Sequence, residues 1–509
     1  MYYISNHILN SIFYSIILLT TSTSTFPGRY VFIFPPVLSL HVPPNELSKI
    51  AQKLVKHGYN AEPEVVQFIN TTPDPTSTIK FLISHIPKGI FTLEMSHISD
   101  IYGNSSPPSP SPSISISNDM TGNSTGSGTY DDFVSIFQDR LSKLSSILSN
   151  RINPYPLDSI KKNSGEVRVV GMVSDIQKTN SNHVILELED ITGTFSILVH
   201  NNSEIFHLTD EILLDEVIGV KGKLSSDSEI LFAEMIYFPD VPSNFRPPHA
   251  NRPVQAVLLS DIHVGSKHFT SEIWSDFTNW LKTPEAELIE YLLIAGDLVE
   301  GVGVYPGQDI DLAIINIYEQ YEAFIECLKD IPGDISIIMI PGNHDAVRLA
   351  EPQPAFDSEI RNLLSSSNTH LTSNPSTVVV EGVPILMYHG VSLDEIIAET
   401  PSTQVSYEAP QNAMIQLLKK RHLAPQFGSR TRISPEQKDY LVIDQIPSIF
   451  HSGHVHKFGY GKYHNVLAIN SGCWQSQTDF QKRANITPDV GYAPILDLDT
   501  LNLTIRKFS

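Results

Sequence analysis

The sequence holds only two cysteines in 509 residues, Cys327 and Cys473. That scarcity excludes a disulfide scaffold and a thiolate zinc knuckle, and the chain reads as intracellular. Positive charge is also short: 34 Lys and Arg stand against 56 Asp and Glu, a formal charge of −22. Non-specific DNA affinity comes from cations that displace counterions along the phosphates, so general electrostatic wrapping of DNA is excluded. Any nucleic-acid contact must be local or shared with a basic partner. Long apolar runs are missing too. The one candidate, ILNSIFYSIILL at 8–19, is interrupted by Ser and Asn and has no Lys or Arg before it. It falls short of the ~20 apolar residues of a membrane span, and it lacks the basic n-region of a signal peptide. Residues 1–43 are read as an extension of uncertain role, and no membrane partner is expected.

The length suggests roughly two to four domains. In residues 44–102, ELSKIAQKLVKHGYNAEPEVVQFINTT places Leu47, Ile50, Leu54 and Val55 on one helical face. That helix stops at Gly58, and a second starts near Pro63, which predicts a small helical module. Residues 103–129 are rich in Ser, Pro and Gly (SSPPSPSPSISISNDMTGNSTGSG) and predict a disordered linker. A connecting helix over 130–164 carries Phe133, Ile136, Phe137, Leu141 and Leu144. From 165 to 241 the period changes to two, in short β-branched runs separated by Gly, Asn and Asp. An OB-like barrel suits this pattern, and periodicity alone leaves any small barrel or sandwich open. VPSNFRPPHANRP marks a Pro-rich linker at 242–253. Over 254–509 apolar runs (AVLLS, YLLIAG, ISIIMI, PILMYHG, SIFHSG, VLAINSG) alternate with helical stretches, SEIWSDFTNWLK and LAIINIYEQYEAFIECLKD among them. Continuous apolar strands are covered on both faces, so this part is an α/β domain.

Polar clusters follow those strands: Asp261/His263, Asp297, Asn343/His344/Asp345, His389 and His454/His456. Ligand groups in α/β sheets converge beyond the carboxyl ends of strands. Collected there, these groups supply carboxylates, imidazoles and an amide, a donor set that suits Mn²⁺, Fe²⁺ or Zn²⁺ in a two-ion centre. Two such ions bind a phosphoryl group and lower the pKa of a bridging water, so the chemistry implied is phosphoester hydrolysis. On extended backbone, residues i and i+2 share a face, which is the expected reason for the Asp-x-His and His-x-His spacing.

In order, these blocks read DxH, GD, GNH, an isolated H and GHxH, and the chain resembles the calcineurin-like metallophosphoesterase superfamily. The resemblance implies Asp261, His263 and His456 on one ion, Asn343, His389 and His454 on the other, and Asp297 between them. It makes His344 the group that protonates the leaving oxygen or steadies the scissile phosphate, with an orienting role as the alternative. Asp345 is expected to orient a neighbour. His268, His370, His422 and His464 fall outside the blocks and are expected to be ordinary surface or core residues. Arg348 is read as a phosphate contact or a solvated side chain. Trp474 is read as a base-stacking platform or a core residue.

The segments LLSDIHVGSKHF, IAGDLVEGVGVYPGQDIDL, PGNHDAVRLAEPQPAF, YHGVSLDE and SGHVHKFGYGKYHNVLAINSGCWQSQTDFQK resemble the small-subunit family of archaeal D-family DNA polymerases. That resemblance covers residues 165–509, and 45–95 more weakly. It implies an α/β/β/α-like metallophosphoesterase sandwich preceded by an OB-like barrel and an N-terminal helical module. It also implies a 3′–5′ exonuclease with two divalent ions, Mn²⁺ first and Fe²⁺, Zn²⁺ or Mg²⁺ as alternatives. The implied partners are the large catalytic subunit, single-stranded 3′ ends of DNA and, through the complex, a sliding clamp, in the cytoplasm at the nucleoid. A catalytically silent assembly subunit and a stand-alone phosphodiesterase stay open.

Overall fold

A computed structural model describes residues 46–72, 75–86, 90–102, 113–162, 165–401, 405–483 and 485–509. The apolar segment 8–19, the rest of the 1–43 extension and residues 103–112 of the expected linker lie outside them. Two compact units form, Met1–Pro107 and Pro108–Ser509. Among the described residues, no helix is long and apolar enough to cross a membrane.

The described part of the first unit has helices Glu46–Lys56, Pro63–Thr71, Pro75–His85 and Met95–Tyr102, with a short parallel pair, β1 (Asn60–Ala61) and β2 (Thr92–Leu93). Its core gathers Ile50, Leu54, Val65, Ile69, Leu82 and Ile98. Of the periodic residues in the first helix, Ile50 and Leu54 are buried while Val55 is 58% exposed. The helix stops before Gly58, whose φ of +86° is a left-handed conformation open to glycine at no steric cost.

The second unit corrects the linker expectation. Within 103–129, Ile114–Asn118 forms β3, paired antiparallel with Ser376–Val380. Beyond it Met120 is fully buried, and the Glu436 carboxylate accepts the Thr125 and Gly126 N–H groups (2.5 and 2.9 Å) and the Ser124 hydroxyl (2.7 Å). A strand at a sheet edge is held largely by its backbone, so a segment poor in apolar area is ordered without a core of its own.

Helix Tyr130–Ile152 begins with a capping box between Thr129 and Asp132. Its Leu144, Leu148 and Ile152 pack on Val170, Met172 and Val217 of the barrel. The barrel is closed in the order β4 (Glu166–Lys178), β5 (Val184–Asp190), β6 (Gly193–Val199), β8 (Ile230–Tyr237), β7 (Val217–Leu224). All its pairs are antiparallel except β6 with β8. Arg140 from this helix reaches Asp439 (2.8 Å), and Lys420 reaches Glu216 of the barrel (2.6 Å), both pairs buried. The segment 242–253 is coil, pinned where the Ala250 N–H meets the Leu498 carbonyl (2.7 Å).

The remaining strands are β9 (Gln255–Leu259), β10 (Ile289–Ala295), β11 (Ser336–Ile340), β12 (Thr369–Leu371), β13 (Ser376–Val380), β14 (Val383–Met387), β15 (Ile449–Ser452), β16 (Phe458–Tyr463), β17 (Val466–Ser471), β18 (Tyr492–Asp497) and β19 (Leu503–Lys507). They build two six-stranded sheets, β12-β11-β10-β9-β18-β19 and β16-β17-β15-β14-β13-β3. Ala256, Leu258, Leu293 and Ile338 of one face Val378, Ile385, Ile449 and Ile469 of the other across a dry core. Outside the first sheet, helices Ser271–Leu281 and Ile317–Lys329 bring Trp274, Phe277, Tyr321 and Phe324 onto Val257, Leu292 and Met339. Outside the second, Met414, Leu417 and Leu418 of helix Pro410–Lys420 cover Leu386, Phe450 and Ala468. The layers run helix, sheet, sheet, helix. Within LAIINIYEQYEAFIECLKD the helix begins only at Ile317, because the Asn316 side chain caps it by accepting the Tyr318 N–H (2.9 Å).

Candidate metal centre

Five strands deliver the polar clusters to one place. The first sheet supplies Asp261 and His263 after β9, Asp297 after β10, and Asn343 and His344 after β11. The second supplies His389 after β14, and His454 and His456 after β15. Strand alternation is not the reason for the i, i+2 spacing, contrary to expectation. The strands have already ended, and Asp261, His263, Asp297, His454 and His456 all take left-handed backbone with φ between +52° and +72°. Such positions cost non-glycine residues energy and cluster where surrounding structure over-determines them. Backbone bonds do so here. The His263 N–H donates to the Asp297 carbonyl (3.1 Å), the Gly453 N–H to that of His389 (2.8 Å), and the Trp474 N–H to that of Asp261 (2.9 Å). Close packing fixes the glycines as well: a Cβ at Gly342 would land on the Asp297 carboxylate, and one at Gly453 on that of Asp261.

Every block residue is in the cluster. Nε2 of His263 and Nε2 of His456 are 3.1 Å apart, and His456 Nε2 is 3.4 Å from Asp261 Oδ1. Asp297 Oδ2 lies 3.3 Å from His389 Nε2 and 3.6 Å from His263 Nε2, and so stands between two sets of donors. Asn343 Oδ1 is 2.9 Å from His389 Nε2 and 3.0 Å from His454 Nδ1. Ligand atoms of Asp261, His263 and His456, and those of Asp261, Asp297 and His389, lie within 4.8 Å of one another, compact enough to hold a metal ion. His344 is held at Nδ1 by the Glu300 carbonyl (2.7 Å), with its ring 4.7 Å from that of His263.

Electrostatics bind carboxylates to imidazoles throughout. Burial alone would raise the Asp297 carboxyl, yet His389 and His344 hold it well below the usual range. Burial opposes charge on His389 as well, and Asp297 carries that imidazole up to about 10. His344 is pushed down by burial. Carboxylates this strongly drawn to positive charge, arranged with imidazole and amide donors and no thiolate ligand, fit divalent cations.

Sequence reading missed the residues that aim these ligands. Glu300 stands 3.1 Å from His263 Nδ1 and accepts Gln475 Nε2 (2.7 Å); burial opposes its charge, but His263 draws its carboxyl down to about 2. Asp394 holds His454 Nε2 (3.1 Å), and Gln481 Nε2 meets His456 Nδ1 (2.9 Å). Glu300 does sit in the loop that carries Asp297, and Asp394 lies in the first turn of helix Leu393–Glu399 just after His389, the one signal available; Gln475 and Gln481 arrive only through the fold. Asp345 accepts the Gly342 and Leu298 N–H groups (2.8 and 3.2 Å) and shapes the loop. Arg348 is half-buried and tied to Glu436 (2.8 Å). Trp474 is fully buried against Trp274 and Phe277, so the core reading holds. His422 is buried on Asp439 (2.9 Å), His464 meets the Val241 carbonyl, and His268 and His370 are half-buried outside the cluster.

The fold and site together are a closed barrel joined to a helix-sheet-sheet-helix sandwich, with a carboxylate–imidazole cluster at the ends of its strands. The family model of the B subunits of DNA polymerases alpha and epsilon matches residues 256–459, and that of the OB-fold nucleic acid binding domain matches 167–232. The DNA polymerase II small subunit of Halobacterium salinarum is 49% identical over 501 residues, 91% of this chain and 99% of that one. Its counterpart in Archaeoglobus fulgidus is 41% identical over 473 residues, 88% and 95% of the two chains. The chain belongs to the family of small subunits of archaeal DNA polymerase II, the D-family enzyme.

Proposed function

We propose that the chain is a metallophosphoesterase-type 3′–5′ exonuclease that trims DNA 3′ ends beside the large catalytic subunit of a D-family polymerase. The observation that carries this reading is the convergence of seven donor residues from two sheets on one cluster, of which His263, Asp297, His454 and His456 line a cleft of about 530 Å³. Asp261, His263 and His456 would hold one divalent ion, Asn343, His389 and His454 a second, with Asp297 between. Mn²⁺ is the first choice. Such a pair, when bound, supplies Lewis-acid activation of a phosphodiester and a water acidic enough to attack it. His344, anchored at Nδ1 by the Glu300 carbonyl, lines the cleft, where its other nitrogen would meet the leaving oxygen or a phosphate oxygen. Glu300 and Asp394 keep His263 and His454 in register, as carboxylates behind metal-ligating imidazoles do.

The barrel is read as a docking module. Two of its three lysines are paired, Lys221 to Glu166 (2.9 Å) and Lys223 to Glu234 (2.7 Å), and Lys178 alone makes no basic track for single strands. With a net charge of −22 the chain would borrow DNA affinity from its partner. The test is digestion of a 5′-labelled single strand and a mismatched primer–template by the purified chain, with Mn²⁺ and with chelator, beside Asp297→Ala. Stepwise shortening that chelator and substitution both abolish is expected. No shortening, even with the large subunit added, would leave a silent assembly subunit.

A further inference from the structure

The walls of the cleft differ in chemistry. On the side of His263 and His456 the lining is mostly amide and hydroxyl, with Gln475, Thr478, Gln481 and Asn485, and its one carboxylate, Glu300, is engaged by His263 and Gln475. Two of these are fixed to that side by their partners, Gln481 on His456 and Gln475 on Glu300. On the side of His454 stand Asp394, Tyr407, Glu408 and Arg430. Among the described residues that line the cleft, Arg430 alone carries a fixed positive charge. It is exposed, and its charge acts on Asp394 and Tyr407, which are paired with each other. Asp394 in turn holds His454, so the guanidinium is one side chain removed from the Asn343, His389 and His454 group. Other cations nearby have partners: Lys457 has Glu408 (2.7 Å) and the Thr487 carbonyl (3.1 Å), Arg348 has Glu436, and, on the helix that carries Gln481, Lys482 has the Asp479 carboxylate (2.9 Å) and Arg483 the Asp479 carbonyl (3.3 Å).

A DNA strand brings the cleft one phosphate to be cut, a second beside it, and an uncharged nucleoside at the end. Guanidinium forks suit phosphate oxygens, while amides offer donors and acceptors to a base edge or sugar hydroxyl without charge. We propose that Arg430 takes the phosphate adjoining the scissile linkage, so that the retained strand leaves along the His454 wall and the terminal nucleoside faces the amide wall. This rests on the exonuclease reading and gives it a strand polarity.

The test is binding of a fluorescent oligothymidylate to the full chain, with Ca²⁺ in place of Mn²⁺ to slow turnover. The strand carries either phosphate or a neutral methylphosphonate at the linkage next to the terminal one. In the wild type the neutral linkage is expected to weaken binding about tenfold, the effect of a charge-assisted hydrogen bond. In Arg430→Gln the all-phosphate strand is weakened about tenfold already, the neutral linkage adds less than about twofold, and the salt slope falls by about 0.7. Arg430→Lys restores part of the difference. An equal methylphosphonate penalty in wild type and Arg430→Gln would overturn the proposal. Binding is read without cleavage, so coupling here together with no shortening in the Mn²⁺ digestion would count against the exonuclease and support the Arg430 contact. Shortening without coupling would count against the contact alone.

Discussion

Replacing Asp439 by Asn should destabilise the second unit by about 3–5 kcal/mol, the cost of leaving one partner of a buried ion pair uncompensated. Asp439 is 1% exposed and lies between Arg140 Nε (2.8 Å) and His422 Nε2 (2.9 Å). It also accepts the Leu441 N–H (2.9 Å), a bond the Asn oxygen can keep. The lost elements are therefore the charge and the Oδ2 acceptor that Arg140 and His422 share. Arg140 is itself 1% exposed and cannot turn to water; its Nη1 holds the Asp215 carbonyl of the barrel side (3.2 Å). The loss would thus loosen barrel from sandwich. The paired replacement Arg140→Met with Asp439→Leu removes both charges and should cost far less than the two single changes added together. The assay is urea unfolding followed by tryptophan fluorescence, because Trp274, Trp280 and Trp474 all lie in the sandwich core. A cost below about 1 kcal/mol for Asp439→Asn, or simple additivity in the double variant, would refute the reasoning.

His422 gives a pH signature: burial and then the Arg140 charge push its imidazole from 6.5 to about 4. The unfolded chain takes up that proton first, so stability should fall as pH drops from 6.5 to 4, by about 3 kcal/mol, and urea titrations of His422→Gln should lack that part of the slope. Glu300→Gln should weaken Mn²⁺ binding about 10–100-fold by calorimetry while leaving the fold intact, since it loosens His263 without removing a ligand. Hydrogen exchange should show the Thr125 and Gly126 amides protected, and Glu436→Ala should speed their exchange at least about tenfold; fast exchange in the wild type would restore the linker expectation.

The sequence carried the sandwich strands well where apolar runs were long and both faces buried, as in YLLIAG and ISIIMI. The block residues were legible because carboxylates and imidazoles next to glycine are rare in such order. Edge elements were not. β3 was hidden in a Ser/Pro-rich window because its order comes from the free edge of β13, a partner more than 250 residues away. The short strands β12, β16, β18 and β19 carry weak patterns of their own and are set by register with neighbours. The physical reason given for the Asp-x-His spacing failed because left-handed backbone leaves no local propensity signal in Asp or His. The supporting residues Gln475 and Gln481 escaped for a related reason: an amide behind a ligand is recognised by position, and position comes from the fold.

The most direct test of the two-ion account is calorimetric titration of the purified, metal-stripped chain with Mn²⁺, repeated on Asp297→Ala. Two ions per chain, with both sites weakened by loss of the carboxylate between them, is the predicted result. One site, or two sites indifferent to Asp297, would contradict it.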